Sequence, residues 1–409
     1  MTNVVFAHTD LRLNWPALLR ALHGYAGKRD VQLTVVEIAG HGSPYAFAGK
    51  SATGDGLRWD CLFPDQRMED IPPRQAATSL FRHLDALAPD VVMAGAVAFP
   101  SGAAALRWAC ARKRGVILFD DARREDVPRS MLVNGVKRRL YSHASAVVVP
   151  APSHDPTYLS WGVPQAAIFH GLIAIDNDGF ATAVRSMQGQ APELRQALGL
   201  PPRFLLGVGR QVPKKNWAGL LQAWAGFCAA EPDAAAGCHL VLVGDGPERT
   251  RLELLTAELR LHNVVFRPFV AQEELCKYYR LASGLVLPSF HGESWGRVVN
   301  EAMACGLPVL VSRECGCAQT LVRLENGWVF DPHDTQAITA ALRDWSSCAP
   351  QELKGMGAQS RAIVGEWGPD RFCRGVCDAI DYASSRPANY RSILDRILIG
   401  LWNGRYRPT

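Results

Sequence analysis

The 409 residues contain no uncharged run suited to crossing a bilayer. The longest stretch free of Asp, Glu, Lys and Arg is Pro156–Ile175, 20 residues. Gly162, Pro164, Gln165, His170 and Gly171 break it, whereas a spanning helix needs about 20 continuous, mostly apolar residues. The more apolar Val91–Leu106 has only 16 residues and reads as strand, loop and helix around Pro100, Ser101 and Gly102. The opening MTNVVFAHTDLRL lacks the basic-then-apolar order of a secretion signal. A disulfide framework is also missing: the 11 cysteines are odd in number and scattered from Cys61 to Cys377. A chain this long can bury a core without staples, so a reduced, cytoplasmic setting is expected. The excess of charge of one sign is small, 44 basic against 39 acidic residues for a net of +5, which excludes a dedicated nucleic-acid binder. Neither a short-period repeat nor a low-complexity segment appears, which excludes solenoids and a disordered chain.

What is present is an ordinary globular balance, 48% hydrophobic and 20% charged, at a length that suggests two or three domains. Short β-rich runs alternate with helical patterns. Strands are expected at Asn3–His8, Gln32–Ile38, Val91–Val97, Val116–Phe119 and Ala146–Val149. Helices are expected between them at Pro16–Gly27, Arg74–Ala88, Ser101–Lys113 and Met131–His143. The second half repeats the rhythm with strands at Phe204–Val208, His239–Val243, Val264–Phe266, Leu285–Leu287 and Val309–Val311. Its helices fall at Trp217–Ala230, Glu248–Leu261, Gln272–Leu281 and Gly296–Cys305. Continuous rather than alternating apolar strands argue for parallel sheets covered on both faces, hence an α/β chain of two doubly wound domains. The polar segment Asp176–Pro202 marks the break, and Asn389–Trp402 reads as a helix with Ile393, Ile397 and Leu401 on one face.

Three segments carry candidate chemistry. In FLLGVGRQVPKKN, a strand ends at Gly209, and Arg210 and Lys215 follow as two cations at its carboxyl end. They read either as solvated loop charges or as a diphosphate site, with Arg bidentate and Lys a point charge. In HLVLVGDGPER, a strand runs into Gly244-Asp245-Gly246, with Pro247 placed to begin a helix. Arg249 stands where a dinucleotide fingerprint needs its third glycine, so a nicotinamide dehydrogenase is disfavoured. In HGESWGRVVNEAMACGLPVLVS, Glu293 and Glu301 lie eight positions apart around Gly296, an expected helix start whose amides suit a phosphate. Eight residues is about 2.2 turns, so both carboxylates share a side if the helix extends back to Glu293.

These segments, followed by CGCAQTLVRLENGWVFDPHD, resemble in order the signatures of a family-4 glycosyltransferase of the GT-B fold. The resemblance implies two facing Rossmann-like domains, an acceptor domain over 1–185 and a donor domain over 200–386, with residues 387–409 returning as a helix to the first. It implies a retaining hexosyltransferase that takes a nucleotide sugar, UDP- or GDP-linked, and needs no metal or other cofactor. Arg210 and Lys215 match the pair that binds the donor diphosphate, Glu301 the ribose ligand, and Glu293 the carboxylate beside the donor sugar. Ser294, Trp295, Gly296, Arg297 and Val298 match the phosphate-binding turn, and Trp295 stands where Phe is commoner. Gly209, Gly244, Asp245 and Gly246 match the donor cleft, and Arg267–Val270, with Phe269 and Val270, the main chain that meets the base.

The first half departs from the common pattern. It reads HTDLRLNWP where a Gly-Gly turn is usual, and Phe119-Asp120-Asp121-Ala122-Arg123 where a histidine is usual. It is similar instead to a bacterial polysaccharide-type subgroup with acids there, a basic helix (Lys137-Arg138-Arg139) and an IDNDGF-like segment at Ile175–Phe180. Asp120 is thereby an expected catalytic residue, and Asp121, Arg123 and His170 are acceptor-side candidates. Gln319 or Thr320 replaces a usual glutamate, and Cys315-Gly316-Cys317, without a second close pair of Cys or His, is not read as a zinc site. Residues 107–139 hold ten basic and four acidic residues, a stretch that reads as a docking patch for an anionic membrane leaflet, as a solvated helix face or as a site for a phosphate-rich acceptor. The expectation is transfer to a glycan or lipid-linked acceptor in polysaccharide or lipopolysaccharide synthesis, on the inner membrane face. The rivals are a nucleotide-sugar epimerase and a non-catalytic carbohydrate-binding relative.

Overall fold

The computed structural model describes residues 1–9, 11, 15–41, 56–290 and 292–405, so part of HTDLRLNWP and His291 fall outside the described residues. The chain forms two compact units: Met1–Arg124 with Pro128–Ala174 and Pro369–Thr409, and Glu125–Val127 with Ile175–Gly368. The division thus falls at Ala174/Ile175 and Gly368/Pro369, where the sequence reading puts it at 185–200 and at 386/387.

In the first unit the order is β1 (Thr2–His8), α1 (Trp15–Gly27), β2 (Val31–His41), β3 (Arg58–Arg67), α2 (Pro73–Leu87), β4 (Val91–Ala94), α3 (Pro100–Arg112), β5 (Gly115–Phe119), α4 (Met131–Tyr141), β6 (Ala146–Val149), α5 (Asp155–Ser160) and β7 (Ile168–His170). The strands pair in parallel in the order β3-β2-β1-β4-β5-β6-β7. β4, β5 and β6 are buried at every residue, as expected of strands with helices on both faces. Val5, Val36, Val92, Leu118 and Val147 lie in the core on one side of this sheet, with Leu80, Leu84 and Trp108 from α2 and α3.

The second unit runs α6 (Asn177–Ser186), α7 (Ala191–Leu198), β8 (Phe204–Val208), α8 (Trp217–Ala230), α9 (Pro232–Ala236), β9 (His239–Val243), α10 (Arg249–Glu258), β10 (Val264–Arg267), α11 (Gln272–Leu281), β11 (Gly284–Leu287), α12 (Arg297–Ala304), β12 (Val309–Ser312), α13 (Ala318–Leu321), β13 (Gly327–Phe330), α14 (Thr335–Ser347) and α15 (Pro350–Gly365). Its parallel sheet has the order β10-β9-β8-β11-β12-β13. Consecutive crossovers therefore wind outward one way from β8 and the other way from β11. The gap between the ends of β8 and β11 is the switch point where such sheets accept ligands. Leu205, Leu240, Val286 and Leu310 pack beneath Trp217, Trp224, Phe227 and Trp345 to form its core.

Several expectations change. The polar break at Asp176–Pro202 is helical: the Asp176 carboxylate caps α6 by accepting from Gly179 N at 2.9 Å, and α7 follows. Ile175–Phe180 belongs to the second unit, because α6 packs on α11 and α12. Pro247 does not begin a helix; α10 starts at Arg249 with Glu248 at its N-cap. β4 stops at Ala94 rather than Val97. Two helices return to the first unit, α16 (Pro369–Ser384) and α17 (Ile393–Leu401). α16 packs against α1, β5, β6 and β7.

Candidate active site

The second-unit residues singled out in the sequence follow successive strand ends around the switch point. β8 ends at Val208, and Gly209 (φ 154°) turns the chain into Arg210 and a short 3-10 turn, Pro213–Lys215. β9 ends at Val243 and leads into Gly244 (φ 140°) and Gly246 (φ 158°). These two loops interlock. A Cβ on Gly244 would fall 2.1 Å from the Gly209 carbonyl oxygen, and one on Gly246 2.3 Å from that of Gln211. Gly209 N donates to Val243 O, Gln211 N to Asp245 O, and the Gln211 side-chain amide to Gly244 O. Only glycine permits that approach of backbone to backbone.

Lys215 Nζ donates to Glu293 Oε2 at 2.5 Å, and Ser289 Oγ donates to the same oxygen at 3.2 Å. Both side chains of the ion pair are close to fully buried. Burial by itself would raise the Glu293 carboxyl, but the charges of Lys215 and Lys214 and the Lys215 and Ser289 hydrogen bonds hold it below the usual carboxylate range. Among the described residues the Arg210 side chain has no hydrogen-bonded or ionic partner, while its carbonyl accepts from Trp217 Nε1 at 3.1 Å. Lys215, Glu293 and Ser289 are thus brought together across the switch point from β8 and β11.

The helical path does not extend back to Glu293. Gly296 (φ 104°) is the N-cap of α12, so Glu293 and Ser294 sit on the loop before it and Glu301 alone lies on the helix. That loop is held from below by the Cys315-Gly316-Cys317 turn: Gly316 N donates to Glu293 O and Cys317 N to Trp295 O. A Cβ on Gly316 would stand 1.8 Å from Ser294 O. This CGC turn therefore acts as a support for the loop. Trp295 is buried, and its Nε1 donates to Asn300 Oδ1 at 2.8 Å. Arg297 and Val298 open α12 with half-buried side chains.

Glu301 is half-buried, and its Oε2 accepts from Tyr279 OH at 2.8 Å. Burial pushes its carboxyl up to about 7, against the Tyr279 hydrogen bond and the Arg297 charge. Tyr279 in turn packs edge-on against Phe180 of α6, with centroids 6.3 Å apart. Tyr279 and Phe180 are parts of this site that the sequence reading missed. Their signal, an i-spaced apolar and aromatic face, is that of any core helix. Asp245 Oδ2 accepts from Phe269 N at 2.7 Å, and Phe269 is exposed beside half-buried Val270. The Arg267 side chain donates to Leu198 O and Gly199 O at the end of α7.

In the first unit Asp120 follows β5. Its Oδ1 accepts from Ala122 N at 3.1 Å, and its Oδ2 accepts from the buried Tyr141 hydroxyl. Burial, then the charge of Asp120, raises the Tyr141 hydroxyl well above its ordinary range. Lys137 lies over the Trp161 ring, 4.1 Å from its centroid, and burial lowers its ammonium. Arg129 donates to Arg123 O at 3.0 Å, and Asp121 is half-buried beside Asp120. His170 sits at the end of β7, with β6 between it and the Asp120 strand, and its Nε2 pairs with Asp155 Oδ1 at 2.8 Å. His8, at the end of β1, is a further residue the sequence reading passed over. It stacks on Phe119 (5.3 Å, 12°) and lies 5.6 Å from Trp15.

Two doubly wound parallel-sheet units, the second carrying this cluster at its switch point, define the GT-B class of fold. Solved structures agree across nearly the whole chain. Anabaena HepE in complex with UDP and glucose superposes with TM-score 0.67, at 17% identity, covering 93% of this chain and 100% of that one. An alpha,alpha-trehalose-phosphate synthase (UDP-forming) from Burkholderia vietnamiensis gives TM-score 0.71 at 13% identity, covering 94% and 98%.

The family model described as Glycosyl transferases group 1 matches residues 190–362. A D-inositol 3-phosphate glycosyltransferase from Acidothermus cellulolyticus is 34% identical over 163 residues, 38% of this chain and 36% of that protein. A GDP-mannose-dependent alpha-(1-6)-phosphatidylinositol monomannoside mannosyltransferase from Mycolicibacterium smegmatis is 29% identical over 232 residues, 55% of this chain and 58% of that protein. The chain thus matches between about a third and three fifths of the length of these curated relatives.

Proposed function

We propose that this chain is a retaining hexosyltransferase that moves a sugar from a UDP- or GDP-linked donor to a hydroxyl of a glycan or lipid-linked acceptor. The observation that carries this reading is the Lys215–Glu293 pair, set with Arg210 at the switch point of the second sheet. A diphosphate entering there would exchange one anion for another: Lys215 would leave Glu293 for a phosphate oxygen, and Arg210 would grip a second. Charge developing on the departing diphosphate is then met by cations already in place, the largest electrostatic contribution open to the site. Glu301 accepts the ribose hydroxyls, Asp245 fixes the Phe269 main chain beside the base, and the amides at Gly296–Val298 face a phosphate.

In the transfer itself, the bond from the anomeric carbon to the diphosphate oxygen breaks. A bond to the acceptor oxygen forms on the same face, and the acceptor proton passes to the leaving phosphate. Glu293 stays ionised and steadies the cationic sugar. On the acceptor side Asp120 orders the loop from Asp121 to Arg123, and His170 stands further along the sheet edge. The protein supplies the cations, so no metal is required. Relatives named for GDP-mannose and inositol phosphate substrates support a sugar nucleotide and a polyol or lipid-linked acceptor. No described helix is long and apolar enough to cross a membrane. We place the enzyme at the inner face of the cytoplasmic membrane, in polysaccharide or lipopolysaccharide assembly.

The test is a thermal-shift panel of nucleotide sugars followed by product analysis with and without acceptor. A ligand at 100 times its Kd adds about 2.7 kcal/mol of stability. A donor that stabilises the protein and yields an acceptor-dependent glycoside of unchanged anomeric configuration supports the proposal. Epimerised nucleotide sugar, or binding with neither transfer nor hydrolysis, overturns it.

A further inference from the structure

The membrane part of that reading acquires a definite surface, different from the basic stretch at 107–139. Several of those cations are occupied within the first unit: Arg112 pairs with Asp85, Arg114 with Asp90, and Arg107 donates to Gly400 O. By contrast, α17 sits against α4 and α3 with its apolar face turned outward. Ile393 is 80% exposed, Leu401 75%, Leu394 61% and Ile397 53%. The opposite side of the same helix does the anchoring. Ile399 enters the core, and Asp395, buried, pairs with Arg139 at 3.0 Å and lies 3.5 Å from His143. Arg391 donates to Ser142 O at 2.6 Å just before the helix. The orientation is therefore locked by polar contacts on the inner side.

A water-facing helix normally shows the reverse arrangement, and an outward apolar stripe flanked by cations describes a helix lying in a membrane interface. The exposed charges of α17 and of the end of α4 that it meets are cationic: Arg138 and Arg396 are exposed, α4 contains no acid, and the single acid of α17 is the buried Asp395. A second copy of the chain would set this arginine rim against itself, whereas an anionic leaflet complements it.

We propose that the outward face of α17 forms a docking surface for an anionic lipid bilayer. Ile393, Ile397 and Leu401 enter the headgroup boundary, and Arg396 and Arg138 meet lipid phosphates. This rests on the membrane association proposed above and is independent of the transfer chemistry.

The test is co-sedimentation of the full chain with phosphatidylcholine vesicles, with and without about 30 mol % phosphatidylglycerol. The wild type is expected to pellet with the anionic vesicles, less so as salt is raised, and to stay in solution with phosphatidylcholine alone. The double variant Ile393→Glu/Ile397→Glu should bind the anionic vesicles at least about tenfold more weakly. Its thermal unfolding and its thermal shift with nucleotide sugar should match the wild type, because both side chains are exposed and lie outside the donor cluster. Arg138→Glu/Arg396→Glu should weaken binding similarly at low salt. Undiminished binding by the Ile393→Glu/Ile397→Glu variant overturns the proposal, as does failure of the wild type to bind. Sedimentation velocity showing a dimer that this variant dissociates would also overturn it, in favour of a second copy. Lost vesicle binding with intact donor binding and transfer to a soluble acceptor separates this surface from the catalytic reading.

Discussion

Lys215 and Glu293 form a buried ion pair at 2.5 Å although 78 residues separate them, one after β8 and the other after β11. Each strand end delivers one charge to the switch point, so the pair exists only when the two halves of the second sheet are joined in register. A buried pair of this kind contributes little net stability, since desolvation offsets the attraction. Its value lies in holding a cation ready where an anion can displace the carboxylate.

Lys215→Ala should abolish most of the transfer. Losing one cation from developing diphosphate charge corresponds to about 3 kcal/mol, or a fall in kcat of roughly 100-fold or more. The variant also leaves Glu293 buried without its partner, so that carboxyl should titrate higher. Steady-state kinetics with the donor identified by thermal shift is the measurement. Unchanged rates would remove Lys215 from the proposed role.

Glu301 ties stability to pH. Its carboxyl is raised from an ordinary 4.5 to about 7 by burial. Below pH 4.5 the group is protonated in folded and unfolded chains alike. Between 4.5 and about 7 the folded chain holds a proton that the unfolded chain has lost, so stability falls as pH rises through that window, by about 3 kcal/mol in all. Glu301→Gln keeps an acceptor for Tyr279 and should flatten that decline when urea unfolding is compared at low and neutral pH. Donor binding should run the opposite way in the wild type and tighten as the carboxylate forms. A wild-type profile already flat in this range would contradict the assignment.

Gly316→Ala drives a methyl into the Ser294 carbonyl, backbone against backbone. It should cost at least about 3 kcal/mol, or shift the Glu293 loop enough to lose donor binding. Gly237→Ala is the control: nothing lies within 4 Å of its Cβ, and its φ is −92°. That change should be neutral or slightly stabilising. Paired melting curves decide; equal Tm values for the two variants would show that the turn beneath the loop yields freely.

Tyr141→Phe removes one of the two hydrogen-bond donors that hold Asp120. The expected cost is about 1–2 kcal/mol, felt through the Asp121–Arg123 loop. If that loop meets the acceptor, acceptor KM should rise several-fold with donor KM unchanged. A change in donor KM alone would move Asp120 to the other substrate.

The central strands of both sheets were legible because each is a short, wholly apolar run between helices. The edges were not. β3, RWDCLFPDQR, mixes charge and proline because one face meets water, and β7 is three residues long. β13 begins with a glycine and carries an exposed Val329, so its pattern is weak as well. α6 and α7 hide in a polar stretch because they bury little, Phe180 alone between them. For the site, Gly209, Gly244 and Gly296 could be found as turn glycines, and their positive φ values bear out that backbone need. The Lys215–Glu293 pair could not be read, because no local spacing links residues 78 apart. α17 shows a different limit. Its period revealed an apolar face correctly, but period alone does not say whether that face turns inward or outward.

The return of α16 bears on how the chain acquires its structure during synthesis. The sheet of the first unit is complete in sequence by His170, yet α16, which covers β5, β6 and β7, emerges only after the whole second unit has been made. Until then the β5–β7 part of that sheet lacks its covering helix, while the second unit already has all its elements. A nascent chain halted at Gly368 would therefore hold one finished unit and one that still needs shielding from aggregation.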